Sequence, residues 1–295
     1  MQKFIRKTRL FFLGYIIYFI TNYCFNNMVI KYKNFDFSDL NVLILGDSHA
    51  GTSLNPDYFQ NSKNISLNSE SFIPSYLKLK LILARCNVDT ILLSFSPHNL
   101  SGSNDLKFSD RRNKSYYHRY YFLFSKDLLI GMNFNFLDYL SIYIEKMFLF
   151  PNTSHLENLI GSFNKVKNNF SNLSIEEKEL SVKQRLERHY YNEGELLHVS
   201  KSCINYLDSI ITLCHSKSIK LFLVSPPVHK MYFNSIPKLF QDAFFNEKAR
   251  LESMNQIIYD YTNETFDDSL FTDINHLNVD GADIFSNIIR KRLRD

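Results

Sequence analysis

Short apolar runs recur along this chain, and sequence with helical periodicity fills the gaps between them. NVLIL (41–45) ends in Gly46, TILLSF spans 90–95, and KLFLV (220–224) leads to Pro226-Pro227. NISL (64–67) is weaker, and a run at 269–271 is short. Unbroken runs of this length are typical of strands buried on both faces, as in a parallel sheet. Between them, 73–85 has Pro74 near its start and apolar residues at helical spacing. Residues 200–216 carry Ile204, Leu207, Ile210, Ile211 and Cys214 on one stripe, and 238–261 and 279–293 are helical in pattern. Such alternation predicts an α/β fold, a three-layer sandwich around a mostly parallel sheet of about five strands.

Residues 101–199 break the alternation. A polar stretch (101–114) leads into aromatic-rich helical sequence (120–150), which Pro151 stops, and charged helical sequence follows at 175–191. This segment is expected to be a helical insertion or cap on a core made of 33–100 and 200–295. Asp127, Asp138, Glu145 and Lys146 argue against a second membrane span within it. At the N-terminus, Lys3, Arg6, Lys7 and Arg9 precede an apolar run at 10–30. A membrane-spanning helix needs ~20 mostly apolar residues. Residues 1–32 are therefore expected to be an uncleaved signal-anchor helix, with the basic flank cytoplasmic and the remaining chain extracytoplasmic. A buried or amphipathic helix is the alternative.

Composition narrows the function classes. Hydrophobic residues make up 45% and charged residues 22%, enough to build a core and unlike a disordered chain. A net charge of +4 is too weak and dispersed to suggest nucleic acid. Cys24, Cys86, Cys203 and Cys214 have neither disulfide-scaffold nor zinc-ligand spacing, and the histidines form no spaced set, so no metal site and no cofactor are expected. No phosphate-binding glycine motif is present.

Two motifs carry chemistry. Gly46-Asp47-Ser48-His49 directly follows the first strand run. A strand-to-helix turn can expose a serine hydroxyl beside backbone N–H groups able to hold an oxyanion. Ser48 could equally be only the cap of the following helix. Asp273-Ile274-Asn275-His276 precedes the last helix. There a histidine can act as general base and an aspartate three residues earlier can orient it; a loop residue and a surface histidine are the plainer reading. In a doubly wound sheet both motifs fall at the carboxyl edge, where ligands bind. Asp47 is expected to support the turn. His229 reads as a loop histidine, and His189-Tyr190-Tyr191 reads as packing or as a sugar-stacking face.

The order G-D-S near the start and D-x-x-H-L-N-x-x-G-A near the end resembles the SGNH (GDSL-like) hydrolase superfamily. The segment LFLVSPPVHKMYF (221–233) is similar to members involved in bacterial polysaccharide O-acylation. The likeness spans about 40–100 and 200–293, outside the insertion. It implies an SGNH/flavodoxin-like sandwich with Ser48 as nucleophile, His276 as base and Asp273 as its partner. It also implies two further oxyanion donors, a glycine in the second block and an asparagine in the third. The second block here reads NSES (68–71) without glycine, so the backbone N–H of Asn68 or Ser69 would serve. The third reads Ser96-Pro97-His98-Asn99, where Asn99 is displaced by about one position and His98 is its rival.

The resulting expectation is a serine esterase or O-acyltransferase acting on acyl, most simply acetyl, esters of cell-surface carbohydrate. A membrane acyl-transfer protein would be a plausible partner. Two rivals stand beside it: a lipid or acyl-ester hydrolase with the insertion as a lid, and a non-catalytic glycan-binding or scaffold subunit. Apolar residues facing Ser48 would favour the first rival, and a Ser48 hydroxyl far from the His276 ring would favour the second.

Overall fold

The computed structural model describes residues 1–35, 37–109, 114–124, 136–149 and 159–294. The chain forms two compact units, Met1–Asp36 with Phe108–Leu159, and Phe37–Lys107 with Ile160–Asp295. The stretch read as one insertion therefore divides, because 160–199 belongs to the α/β unit. Phe170, Val182 and Tyr190 from this stretch lie in that unit's core.

In the first unit, α1 (Gln2–Asn34) is a single long helix. An apolar helix was expected here as a membrane span, and this part of the reading needs correction: among the described residues no helix is long and apolar enough to cross a membrane. The apolar stretch gives way to Thr21, Asn22, Asn26 and Asn27 well short of a full span. The asparagines have a structural use. Asn22 and Asn26 lie one turn apart, both buried. The Asn26 side chain donates to Met147 O at 3.0 Å, and that of Asn22 donates to Met147 O and Leu149 O. These carbonyls lie at the end of the helix Phe136–Phe148, where no intrahelical donor remains.

The α/β unit is built on β1 (Leu40–Leu45), β2 (Ser62–Asn64), β3 (Val88–Ser94), β4 (Lys220–Ser225) and β5 (Ile257–Asp260). They form one sheet in the order β2-β1-β3-β4-β5, with every pairing parallel. Side chains alternate between its faces. Val42, Ile44, Leu92, Phe222 and Val224 share a core with Ala50 of α2 (Ser48–Ser53) and with Leu54, which follows it. Phe285 and Ile289 of the C-terminal helix Val279–Arg292 complete that core. Leu43, Leu45, Ile91, Leu93 and Leu223 of the alternate set are also buried. On the second layer α3 (Phe72–Leu83) packs against the helix Lys201–Ser216, which in turn packs on β4.

The fifth strand lies where helix was expected. The helix starting at Lys238 ends at Ser253, not at 261. Asn255 takes a left-handed conformation, φ 63°, which stops the helix. Gln256 then ties the chain to Leu221 O of β4, at 2.6 Å. The run at 269–271 adds no strand to the main sheet. Asp268–Leu270 is a single 3-10 turn, and Phe271–Asp273 pairs antiparallel with His276–Leu277 in a separate short hairpin.

Candidate active site

The sheet order reverses at β1, so the crevice between the carboxyl ends of β1 and β3 is the switch point at which such sheets bind ligands. The turn out of β1 requires glycine. Gly46 has φ 130°, and a Cβ there would overlap Ser94 of β3. Asp47 follows as the N-cap of α2, its Oδ1 accepting from His49 N at 2.9 Å. Ser48 opens the helix, so its own N–H has no intrahelical acceptor and stays available. The buried Asp47 carboxylate also accepts from Ser94 Oγ (3.0 Å), His98 Nε2 (2.5 Å) and Asn99 Nδ2 (2.8 Å). Burial alone would raise its pKa, but the neighbouring His98, His49 and Asn99 outweigh this and hold it well below the usual carboxylate range.

The second wall is the hairpin before the last helix. Asp273 Oδ1 accepts the N–H groups of Asn275 and His276, each at 3.0 Å, which folds D-x-x-H into a tight turn. The same carboxylate meets His276 Nδ1 at 2.9 and 3.0 Å. Arg185 Nη2 donates to its Oδ2 at 2.9 Å. Burial pushes Asp273 up, and the His276 imidazole, with Arg185 and the Asn275 N–H, more than reverses this to hold it far below its ordinary value. Nδ1 facing a carboxylate carries the proton, which leaves Nε2 as an acceptor. His276 Nε2 lies 2.8 Å from Ser48 Oγ. Further on, Asn278 caps the last helix by accepting from Gly281 N at 3.0 Å, and Gly281 is needed because a Cβ would strike Leu270 O.

Arg185 comes from the helix Ile175–Tyr190, which a Ser174/Glu177 capping box starts. Val182 and Tyr190 anchor the helix in the core, and Arg185, Arg188 and His189 share a face at i, i+3 and i+4. His189 completes a row of imidazoles. His276 and His49 rings are 4.9 Å apart, His49 and His98 4.3 Å, and His98 and His189 4.6 Å and stacked. Asn275 Nδ2 donates to His49 Nε2 at 2.9 Å, and the His189 Nδ1 to Tyr232 hydroxyl distance is 2.6 Å. Burial first, and then the adjacent His98, lower the pKa of both His49 and His189 well below normal, so both are neutral at pH 7.

A cavity of about 110 Å³ opens at Ser48. Ser69 and His98 line it; Asn99 does not. Asn99 is committed elsewhere, donating to Asp47 and accepting from Ser96 N at 2.8 Å. Ser69 sits at φ 62°, a left-handed position where glycine is the easier residue. His229 lies off the cavity, capping Lys230–Ser235 and bonding Asp268 at 3.0 Å. Among the described residues no group of three or more His, Cys, Asp or Glu side chains could hold a metal ion. Sequence reasoning gave His49 no role of its own and did not single out Lys107, Arg185 or Arg188. His49 had one signal, adjacency to Ser48. Arg185 and Arg188 had none, because a charged helical stretch usually means only a solvated face.

The protein thus has an α/β fold on a five-stranded parallel sheet, with a serine after its first strand and Asp-x-x-His before its last helix. No protein-family model and no curated protein sequence matches the chain. Among solved structures it is similar to a candidate acylhydrolase from Bacteroides fragilis NCTC 9343, at 10% identity and TM-score 0.41, covering 90% of this chain and 94% of that one. It is also similar to a GDSL-like lipase from Bacteroides thetaiotaomicron VPI-5482, at 11% identity and TM-score 0.42, covering 92% and 97%. A third, described as a candidate platelet activating factor from Streptococcus pneumonia, has 13% identity and TM-score 0.43, covering 98% and 99%. Likeness this distant carries no information about chemistry or substrate.

Proposed function

We propose that this chain is a serine-dependent esterase or O-acyltransferase acting on short acyl esters, acetyl esters of cell-surface carbohydrate above all. The observation that carries this reading is the 2.8 Å separation of Ser48 Oγ and His276 Nε2, with Asp273 on the other ring nitrogen. His276 takes the proton as Ser48 attacks the ester carbonyl, and Asp273 steadies the imidazolium. The N–H of Ser48, with one from Asn68 or Ser69, holds the oxyanion. His276 then protonates the leaving alcohol, and an acyl-enzyme remains. Water resolves it in an esterase; a sugar hydroxyl does so in a transferase, which a membrane acyl-transfer partner could supply with donor.

The size and lining of the cavity support a short acyl group. Ligand pockets for larger molecules run ~300–1,000 Å³, whereas about 110 Å³ is open here and every lining side chain is polar. A lipid chain would need apolar walls. A membrane-attached placement belongs to the same proposal. Phe4, Phe11, Phe12, Ile16 and Ile17 of α1 are exposed and follow or flank Lys3, Arg6, Lys7 and Arg9, which supports attachment to an anionic lipid surface.

Labelling with a fluorophosphonate, followed by peptide mapping, tests the chemistry. Modification at Ser48 is expected. Failure of Ser48 to label, with the protein folded, would remove the enzyme reading.

A further inference from the structure

The cavity beside Ser48 carries more positive charge than ester chemistry requires. Its lining includes Lys107, Arg185 and Arg188. The carboxylates in the same lining, Asp47 and Glu70, are each engaged by neighbouring side chains. Asp47 is held by Ser94, His98 and Asn99. Glu70 pairs with Lys78 at 2.7 Å, both side chains wholly buried, and accepts from Ser75 Oγ at 2.6 Å. Arg185 is shared with Asp273. Lys107 Nζ donates to Ser69 O at 2.8 Å and to Asn104 Oδ1 at 2.7 Å. Arg188 is exposed on the same helix face and makes no ion pair among the described residues.

We propose that the substrate of this site is anionic: an acyl ester whose alcohol portion carries a carboxylate or a phosphate, which Arg188 meets while the ester lies at Ser48. This rests on the ester-chemistry reading above and narrows its substrate class. In a cavity of about 110 Å³ the anionic group and the scissile ester are only a few bonds apart. The guanidinium of Arg188 suits either anion, because its forked donors match both bidentately. Like-charge repulsion from the same rim would turn away cationic esters.

The test compares three acetyl esters of matched shape: 4-acetoxybenzoate, 4-acetoxyphenyl phosphate and methyl 4-acetoxybenzoate. The readout is kcat/KM for each anionic ester divided by that for the methyl ester, with each rate corrected for uncatalysed hydrolysis. Arg188→Ala is expected to lower the ratio about threefold to fivefold, the upper range for an exposed ion pair, and Arg188→Glu to lower it further. Lys183→Ala, a charge on the same helix that does not line the cavity, should leave the ratio unchanged. In the wild type the ratio should fall as KCl is raised, since an exposed pair is screened. The anion whose ratio responds more identifies a carboxylate or a phosphate substrate. A ratio indifferent to both Arg188→Glu and salt, with the methyl ester turned over, would overturn the inference and leave the hydrolase reading standing. Turnover of none of the three by the wild type would remove both.

Discussion

His276 Nε2 and Ser48 Oγ lie within hydrogen-bonding distance, 2.8 Å, although 228 residues separate them in the chain. The imidazole reaches the serine already oriented, because Asp273 occupies its other nitrogen. The hydroxyl reaches the imidazole because Gly46 and the Asp47 cap set the first turn of α2.

Replacing either member of that pair should abolish turnover without unfolding the protein. Ser48→Ala and His276→Ala are each expected to lower kcat for an acetyl-ester reporter by at least ~10³-fold. Circular dichroism melts of Ser48→Ala should stay close to wild type, since Ser48 is only half-buried. Wild-type turnover in Ser48→Ala would refute the assignment.

Asp273→Asn preserves size but removes the charge. An amide can present N–H to His276 Nδ1 and so drive the ring proton onto Nε2, where it faces Ser48. We expect kcat to fall by about 10³–10⁴-fold with little change in KM. A drop confined to KM would show that the carboxylate acts on binding and not on the imidazole.

Stability should rise with pH through the imidazole range. His49 and His189 have folded-state pKa values below normal, for burial first and then for the like charge of His98. An unfolded chain takes up these protons near pH 6.5, and the folded chain resists them. Below about 6.5 the unfolded state therefore binds more protons, and stability declines as pH falls. Asp47 and Asp273, both depressed, add stability that is present above ~4 and lost as pH drops through their folded values. The melting temperature should climb between about pH 5 and 7, and His49→Gln should flatten that slope. An identical slope in wild type and variant would count against the buried neutral imidazole.

Gly46→Ala should be among the more damaging small substitutions. It combines a φ of 130° with overlap on Ser94. A loss of about 2 kcal/mol or more is expected, read as a shift of the urea midpoint. Activity should fall further than stability, because the same turn aims Ser48.

The legible parts of this protein were those written in neighbouring residues. The runs feeding β1, β3 and β4 are continuous and apolar because those strands are buried on both faces. β5 was missed because it is an edge strand with little burial, IIYD, joined to a helix by a break that only the left-handed Asn255 reveals. In α1, hydropathy records that asparagines interrupt the apolar run, but not that Asn22 and Asn26 serve the end carbonyls of another helix.

Sequence alone determined the alternation of strand and helix, the glycine turn before Ser48 and the Asp273–His276 turn, because burial periodicity and turn chemistry act over a few residues. Only the tertiary structure decided that these turns face one another, that Arg185 grips Asp273 from 88 residues away, and that four imidazoles stand in a row behind the serine. Such approaches depend on the order of strands in the sheet and on how every intervening element packs. No local pattern of residues records that.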